Sequence, residues 1–214
     1  MSDFASLKYT AGQLNAVVKL LQKQGGEQGV ERFLRGELIV SEPSRKWREE
    51  NGMIRFAVTS DGTTGEEWIA RLEGKGFQVG KYAKQVLRSA ELKPTSGVTS
   101  KIAVLPGSLF EDSERITRNI RTEADGRKLG KPNPEVACLI REMFSDAEIE
   151  AMGLWWIVAM HEPILDSDGD SGLLGVYRSD GGRWLGAGYG RPDDRWNHGG
   201  GFAFVCGAHL APKP

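Results

Sequence analysis

The chain is expected to fold as an α+β domain with a small helical appendage at its N-terminus. Three features of the sequence predict this. Helix-type periodicity with capping signals runs up to Gly153, LWWIVAM from Leu154 is an unbroken apolar segment, and a glycine-rich stretch of turns and aromatics closes the chain. Twelve of the 28 glycines lie between Gly169 and Gly207, where helical signals stop, so strands and loops are expected there.

In chain order, Thr10 with Gln13 makes a capping box for a first helix. Leu14, Val17, Val18 and Leu21 form its apolar stripe, and Gly25-Gly26 end it. Val30, Phe33 and Leu34 mark a short second helix. The polar run Ser41 to Gly52 reads as a linker, so residues 1–43 form the helical appendage and 44–214 the main domain.

MIRFAVTS from Met53 alternates Ile54, Phe56 and Val58 against Arg55, Ala57 and Thr59, the pattern of a strand with one buried face. Asp61-Gly62 is a turn. Thr64 and Glu67 cap a helix carrying Trp68, Ile69 and Leu72, which Gly74 and Gly76 terminate. Tyr82, Val86 and Leu87 predict another helix, and SKIAVLPG from Ser100 a second strand. Asp112 or Ser113 opens a helix with Ile116 and Ile120, and Pro134 begins one that buries Val136, Leu139, Ile140 and Met143. Ser145 and Glu148 form a third capping box, with Gly153 as the stop. LWWIVAM is then a central strand, and Trp68, Trp155 and Trp156 are expected in the core.

A formal net charge of -1 gives no electrostatic footprint for nucleic acid, and no apolar run is long enough to span a bilayer. The N-terminus has neither the basic nor the apolar region of a signal peptide, which makes a cytoplasmic location the default. Cys138 and Cys206 read as buried free thiols.

Three constellations could carry chemistry. Asp166, Asp168 and Asp170 in DSDGD could wrap a calcium ion, but Ser171 and Tyr177 stand where the calcium loop of an EF-hand needs Gly and Glu. The template fails, and no metal or cofactor is expected. His161 and Glu162, at the end of an apolar strand, are the one acid–base pair for an enzyme reading; no phosphate loop or nucleophile elbow accompanies them. Trp184 and Trp196 sit among polar residues and glycines, as loop pins or as binding anchors.

The stretch from Leu173 to Phe204 has a particular texture. Leu173, Leu174, Trp184, Leu185, Pro192, Trp196, Gly201 and Phe202 form a frame. Between them lie Tyr177, Ser179, Asp180, Gly186, Gly188, Tyr189, Gly190, Arg191, Asp193, Asp194, Asn197 and His198. With the closing strand GFAFV, this resembles the variable proteins of diversity-generating retroelements, which have a C-type lectin fold, often of the formylglycine-generating-enzyme type. In that family an error-prone copy of a template replaces the C-terminal coding region. Codons with adenine scatter into residues of the second set, and codons without it stay fixed.

The resemblance implies a C-type lectin-like domain over residues 44–214 with a variable-type region at about 173–204. It also implies no enzymatic activity and a macromolecular ligand, expected to be a protein, contacted by the second set and by Trp184. Calcium-dependent sugar binding is the alternative, but Glu162-Pro163-Ile164 and Trp196-Asn197-His198 depart from the calcium motifs of C-type lectins. The frame is expected to be buried and the second set to point outward.

Overall fold

The computed structural model describes residues 10–39, 45–179 and 182–207, and the chain divides into two compact units, Met1–Lys46 and Trp47–Pro214. The boundary falls three residues beyond the expected one.

In the first unit, α1 spans Ala11–Gly25 and α2 Gly29–Leu34. The Thr10 capping box forms as expected: the Gln13 amide donates to Thr10 Oγ1 at 3.3 Å, and the Thr10 amide donates to Gln13 Oε1 at 2.7 Å. Gly26 turns the chain at φ 75°, and α2 then crosses close to α1. A Cβ at Gly29 would lie 2.1 Å from the Leu21 carbonyl oxygen, so only glycine fits. Of the expected stripe only Leu21 is buried; Leu14, Val17 and Val18 are exposed.

The second unit opens on Trp47, buried in the main core. Here the expected linker is a hairpin. Strand β1 (Arg48–Glu50) pairs antiparallel with β2 (Met53–Asp61) through Asn51 and Gly52, both in the left-handed region at φ 55° and 70°. Asn-Gly is the pair that a two-residue hairpin turn selects, because both central residues need positive φ. The elements that follow are α3 (Gly65–Gly74), β3 (Gln78–Val79), α4 (Lys81–Arg88), β4 (Ser96–Pro106), a 3₁₀ turn over Gly107–Leu109, α5 (Thr117–Gly126), β5 (Leu129–Gly130), α6 (Glu135–Met143), α7 (Asp146–Ala151) and β6 (Trp156–Ala159). The chain finishes with β7 (Ile164–Leu165), β8 (Ser171–Ser179), β9 (Gly182–Tyr189) and β10 (Gly200–Cys206). Capping boxes at Thr64 and Ser145 start α3 and α7 as expected. The helix expected at Asp112 or Ser113 begins instead at Thr117. The intervening loop is held by the buried Arg115, whose guanidinium donates to the carbonyls of Gly107 and Phe110 at 2.9 and 2.7 Å.

The strands form one mixed sheet in the order β1-β2-β4-β10-β6-β8-β9-β3, with β5 on β10 and β7 on β8. GFAFV lies inside the sheet, antiparallel to β4 and parallel to β6. The architecture is α+β. Side-chain alternation gives the sheet two faces. Ile54, Phe56, Ile102, Val104, Ile157, Leu174, Val176 and Leu185 pack under α3, α4, α6 and α7. Met53, Leu105, Val158, Leu173, Phe202 and Phe204 pack on the opposite face with Ile120 and Ala124 of α5. Among the described residues no helix is long and apolar enough to cross a membrane.

Candidate functional site

Register determines where the candidate residues go. Tyr177 lies opposite Trp156 on one side and Trp184 on the other; Gly175 faces Gly186, Leu173 faces Gly188 and Gly200 faces Trp156. With alternation, Tyr177 and Ser179 of β8, Trp184, Gly186 and Gly188 of β9, and Trp156 all share the α5 face. Their neighbours Leu174, Val176 and Leu185 are fully buried on the other side.

On this face the glycines seat aromatic rings. A Cβ at Gly200 would fall 1.9 Å from Trp156 Cζ2, and one at Gly186 would fall 2.9 Å from Tyr177 Cε2. At Gly188 it would lie 3.1 Å from the Tyr177 hydroxyl and 3.3 Å from Trp196 Cη2. Trp156 is thereby packed against Trp196, Phe202 and Tyr177, with ring centroids 5.4, 5.5 and 6.4 Å away. Burial pushes the Tyr177 phenol up to about 12. Tyr177, Gly186, Gly188 and Gly190 were expected to point outward, and this expectation is corrected. Gly190 is buried, with Leu173 Cγ 2.7 Å from where its Cβ would be. Gly186 and Gly188 leave the room in which the Tyr177 and Trp196 rings pack, and Gly190 leaves room for Leu173; a side chain at any of the three would displace them.

Trp196 anchors the loop between β9 and β10. Its Nε1 donates to Thr117 Oγ1 at 2.9 Å, its amide donates to the Arg115 carbonyl at 3.0 Å, and its ring is half-buried, short of the full burial expected of the frame. Trp184 is also half-buried, between frame and surface. Ser179, Asn197 and His198 are exposed at the end of the sheet where β6 begins. Trp155 is there too, 60 % exposed, with the Arg178 guanidinium 4.8 Å from its ring centroid. Trp155 was expected in the core; it precedes β6 and lies beyond the cover of the helices. The sequence signal for a surface Trp was its pairing with Trp156, since alternation sends two neighbouring side chains to opposite faces.

Tyr189 and Arg191 occupy the opposite end of β9, both exposed, with the Arg191 guanidinium 5.7 Å from the Tyr189 ring centroid and paired to Asp170. Asp193 is exposed and pairs with Arg118. Asp194 accepts from the Arg191 amide at 2.7 Å through Oδ2, and its carbonyl accepts from the Thr117 amide at 3.1 Å, so it is a loop-closing residue rather than an outward one. Asp180 lies outside the described residues.

The two other constellations do not assemble. His161 is fully buried; its Nε2 accepts from the Leu174 amide at 2.9 Å and its Nδ1 donates to the Glu162 carbonyl at 2.6 Å. Desolvation pushes its pKa down to about 4, which keeps the ring neutral. The Glu162 carboxylate is on the surface, paired with Lys131, so the two side chains do not converge on a substrate position. In DSDGD, Asp166 Oδ1 accepts from the amides of Asp168 and Asp170 at 2.9 Å each, Tyr82 donates to Asp168 at 3.3 Å, and Arg191 holds Asp170. This is a self-satisfied turn. Among the described residues no group of three His, Cys, Asp or Glu is placed to hold a metal. Cys138 is buried, and desolvation raises its pKa; Cys206 is only half-buried, with Arg55 Nη1 donating to its sulfur at 3.1 Å.

Compared with known proteins, the chain matches no family model, no curated protein and no solved structure.

Proposed function

We propose that this chain is a ligand-binding protein that displays exchangeable surface residues on a fixed C-type lectin-like scaffold, in the manner of retroelement-diversified variable proteins. The observation that carries this reading is the division of the β8–β10 region. Leu173, Leu174, Val176, Leu185 and Phe202 are buried, whereas Ser179, Tyr189, Arg191, Asp193, Asn197 and His198 are exposed. A surface that accepts many side chains needs a backbone fixed by something else, and the ring cluster on its glycine seats does that. The exposed set, with the half-buried Trp184, combines aromatic contact area with small or adaptable polar groups, the composition of protein-binding paratopes. The ligand is accordingly a protein surface. In this reading Tyr177, Gly186, Gly188, Gly190 and Asp194, which are packed inward or tied into the loop, belong to the frame and not to the variable set.

The test is genomic. A near-repeat of the DNA encoding residues 173–204 should lie beside a reverse-transcriptase gene. Differences between copies should fall at template adenines in codons for the six exposed residues. Absence of such a repeat, or variation concentrated at the buried frame, refutes the reading.

A further inference from the structure

One large aromatic ring of the second unit is fixed in the open. Trp155 is 60 % exposed, which leaves on the order of 150 Å² of its surface in water, whereas the other five tryptophans are buried or half-buried. It is not a loose side chain. The Trp155 amide donates to the Gly199 carbonyl at 2.8 Å, and the Trp155 carbonyl accepts from the Arg178 amide at 3.1 Å. The Arg178 guanidinium lies 4.8 Å from the ring centroid and is itself held, donating to the Leu154 carbonyl at 3.0 Å and pairing with Glu150 at 2.8 Å. The ring also closes on Gly199, where a Cβ would fall 2.9 Å from Trp155 Cδ1. Among the described residues its Nε1 has no acceptor. The strand order sets Trp155, at the start of β6, beside Gly199 of the loop before β10 on one side and Arg178 of β8 on the other. Asn197 and His198 precede Gly199, and Ser179 follows Arg178; all three are exposed. The Trp155 backbone therefore stands between the two segments that the proposed function takes as exchangeable, yet it lies outside residues 173–204.

Building on the proposed function, we infer that Trp155 is the constant anchor of the ligand-binding surface. Its indole enters an apolar slot of the protein ligand whose wall supplies an acceptor for Nε1, and Ser179, Asn197 and His198 around it decide which ligand fits. Protein interfaces concentrate their affinity in a few central Trp, Tyr and Arg side chains, ringed by contacts of low individual weight. A surface whose other contacts change from copy to copy needs such an anchor where the exchange does not reach. Of the exposed aromatic residues described in the second unit, Trp155 meets that condition beside the exchangeable set. Tyr189 lies inside the exchanged stretch, and Tyr82 is bonded to Asp168 toward the other end of the sheet. Because Arg178 and Gly199 already hold the ring, little side-chain freedom is lost when a ligand closes on it.

The experiment selects binders of the full chain from a phage-displayed library of random disulfide-closed peptides and measures the affinity of each enriched peptide for wild type and variants. Trp155→Ala should weaken most peptides by roughly 30-fold or more, the size of a hot-spot loss. Trp155→Phe keeps a ring on Arg178 and removes the Nε1 donor; it should fold whatever the alanine variant does and weaken the same peptides by about fivefold to tenfold. Tyr82→Ala should weaken none. Far-ultraviolet circular dichroism and the melting temperature of each variant should match wild type, which separates lost binding from lost folding. The triple variant Ser179→Ala/Asn197→Ala/His198→Ala separates the anchor from the reading beneath it. Peptides that tolerate both Trp155 substitutions but lose binding to the triple variant overturn the anchor and leave the proposed function standing. Peptides that need Trp155 and ignore the triple variant support the anchor and count against the exchangeable set. An empty selection, or peptides indifferent to all these changes, overturns the anchor.

Discussion

Gly200→Ala is the most direct test of the ring cluster that supports the candidate surface. The new methyl carbon would sit 1.9, 2.0 and 2.3 Å from three atoms of the Trp156 indole, far inside contact distance. The backbone cannot yield, because Gly200 and the residues after it are registered against β6 and β4. Trp156 must therefore leave its place between Trp196, Phe202 and Tyr177. Overpacking of this kind costs about 1–3 kcal/mol, and each displaced aromatic pair adds about 0.5–1.5 kcal/mol. A loss of about 3 kcal/mol is expected, or roughly 6–12 °C in melting temperature for a unit of this size. Urea unfolding followed by tryptophan fluorescence measures it. In the double variant Gly200→Ala/Trp156→Leu the loss should fall short of the sum of the two single losses by about 1–2 kcal/mol, because the leucine vacates the space that the methyl needs. A single-variant change under about 0.5 kcal/mol, or strict additivity in the cycle, would refute the assignment of Gly200 as a ring seat.

Further outcomes follow from the same geometry. Gly74→Ala and Gly126→Ala meet nothing within 4 Å and lie in helices at negative φ, so each should stabilise by about 0.4–1 kcal/mol in the same assay. His161 is held neutral with its pKa near 4 against 6.5 unfolded, so the unfolded chain binds more protons between these values. Its stabilising contribution is therefore complete above pH 6.5 and shrinks as pH falls through that window, by about 2 kcal/mol between about pH 7.5 and pH 5. His161→Gln should flatten that dependence while lowering stability at neutral pH, and an unchanged slope would contradict the assignment. Substituting Ser179, Asn197 or His198 by Tyr, Asp or Arg should shift stability by less than about 0.5 kcal/mol, whereas Tyr177→Ser should cost about 3 kcal/mol. Equal tolerance at Tyr177 would restore it to the exposed set.

The elements that the sequence made legible are those whose signals are local. Thr64 with Glu67 and Ser145 with Glu148 announce their helices because a capping box needs only four residues. Period-two alternation showed Ile54, Phe56 and Val58 turned to one core. Asn51-Gly52 was equally local, yet the short β1 carries no apolar pattern, so its polar residues read as a linker. The start at Thr117 was not legible because Arg115 binds carbonyls of its own loop, a preference that no helical periodicity reports.

The candidate surface divides in the same way. Composition alone marked residues 173–204 as a frame with small and polar residues between, and chain order alone placed LWWIVAM and GFAFV inside a sheet. Which glycines were free and which were occupied was decided by tertiary structure. Gly186 and Gly188 matter because Tyr177 and Trp196 lie over them, and Gly200 because Trp156 does. Those contacts join β6, β8, β9 and the loop before β10, whose proximity depends on strand order and register. A glycine written in a sequence is the same letter whether its missing side chain faces water or a ring, and only the packing across the sheet distinguishes the two.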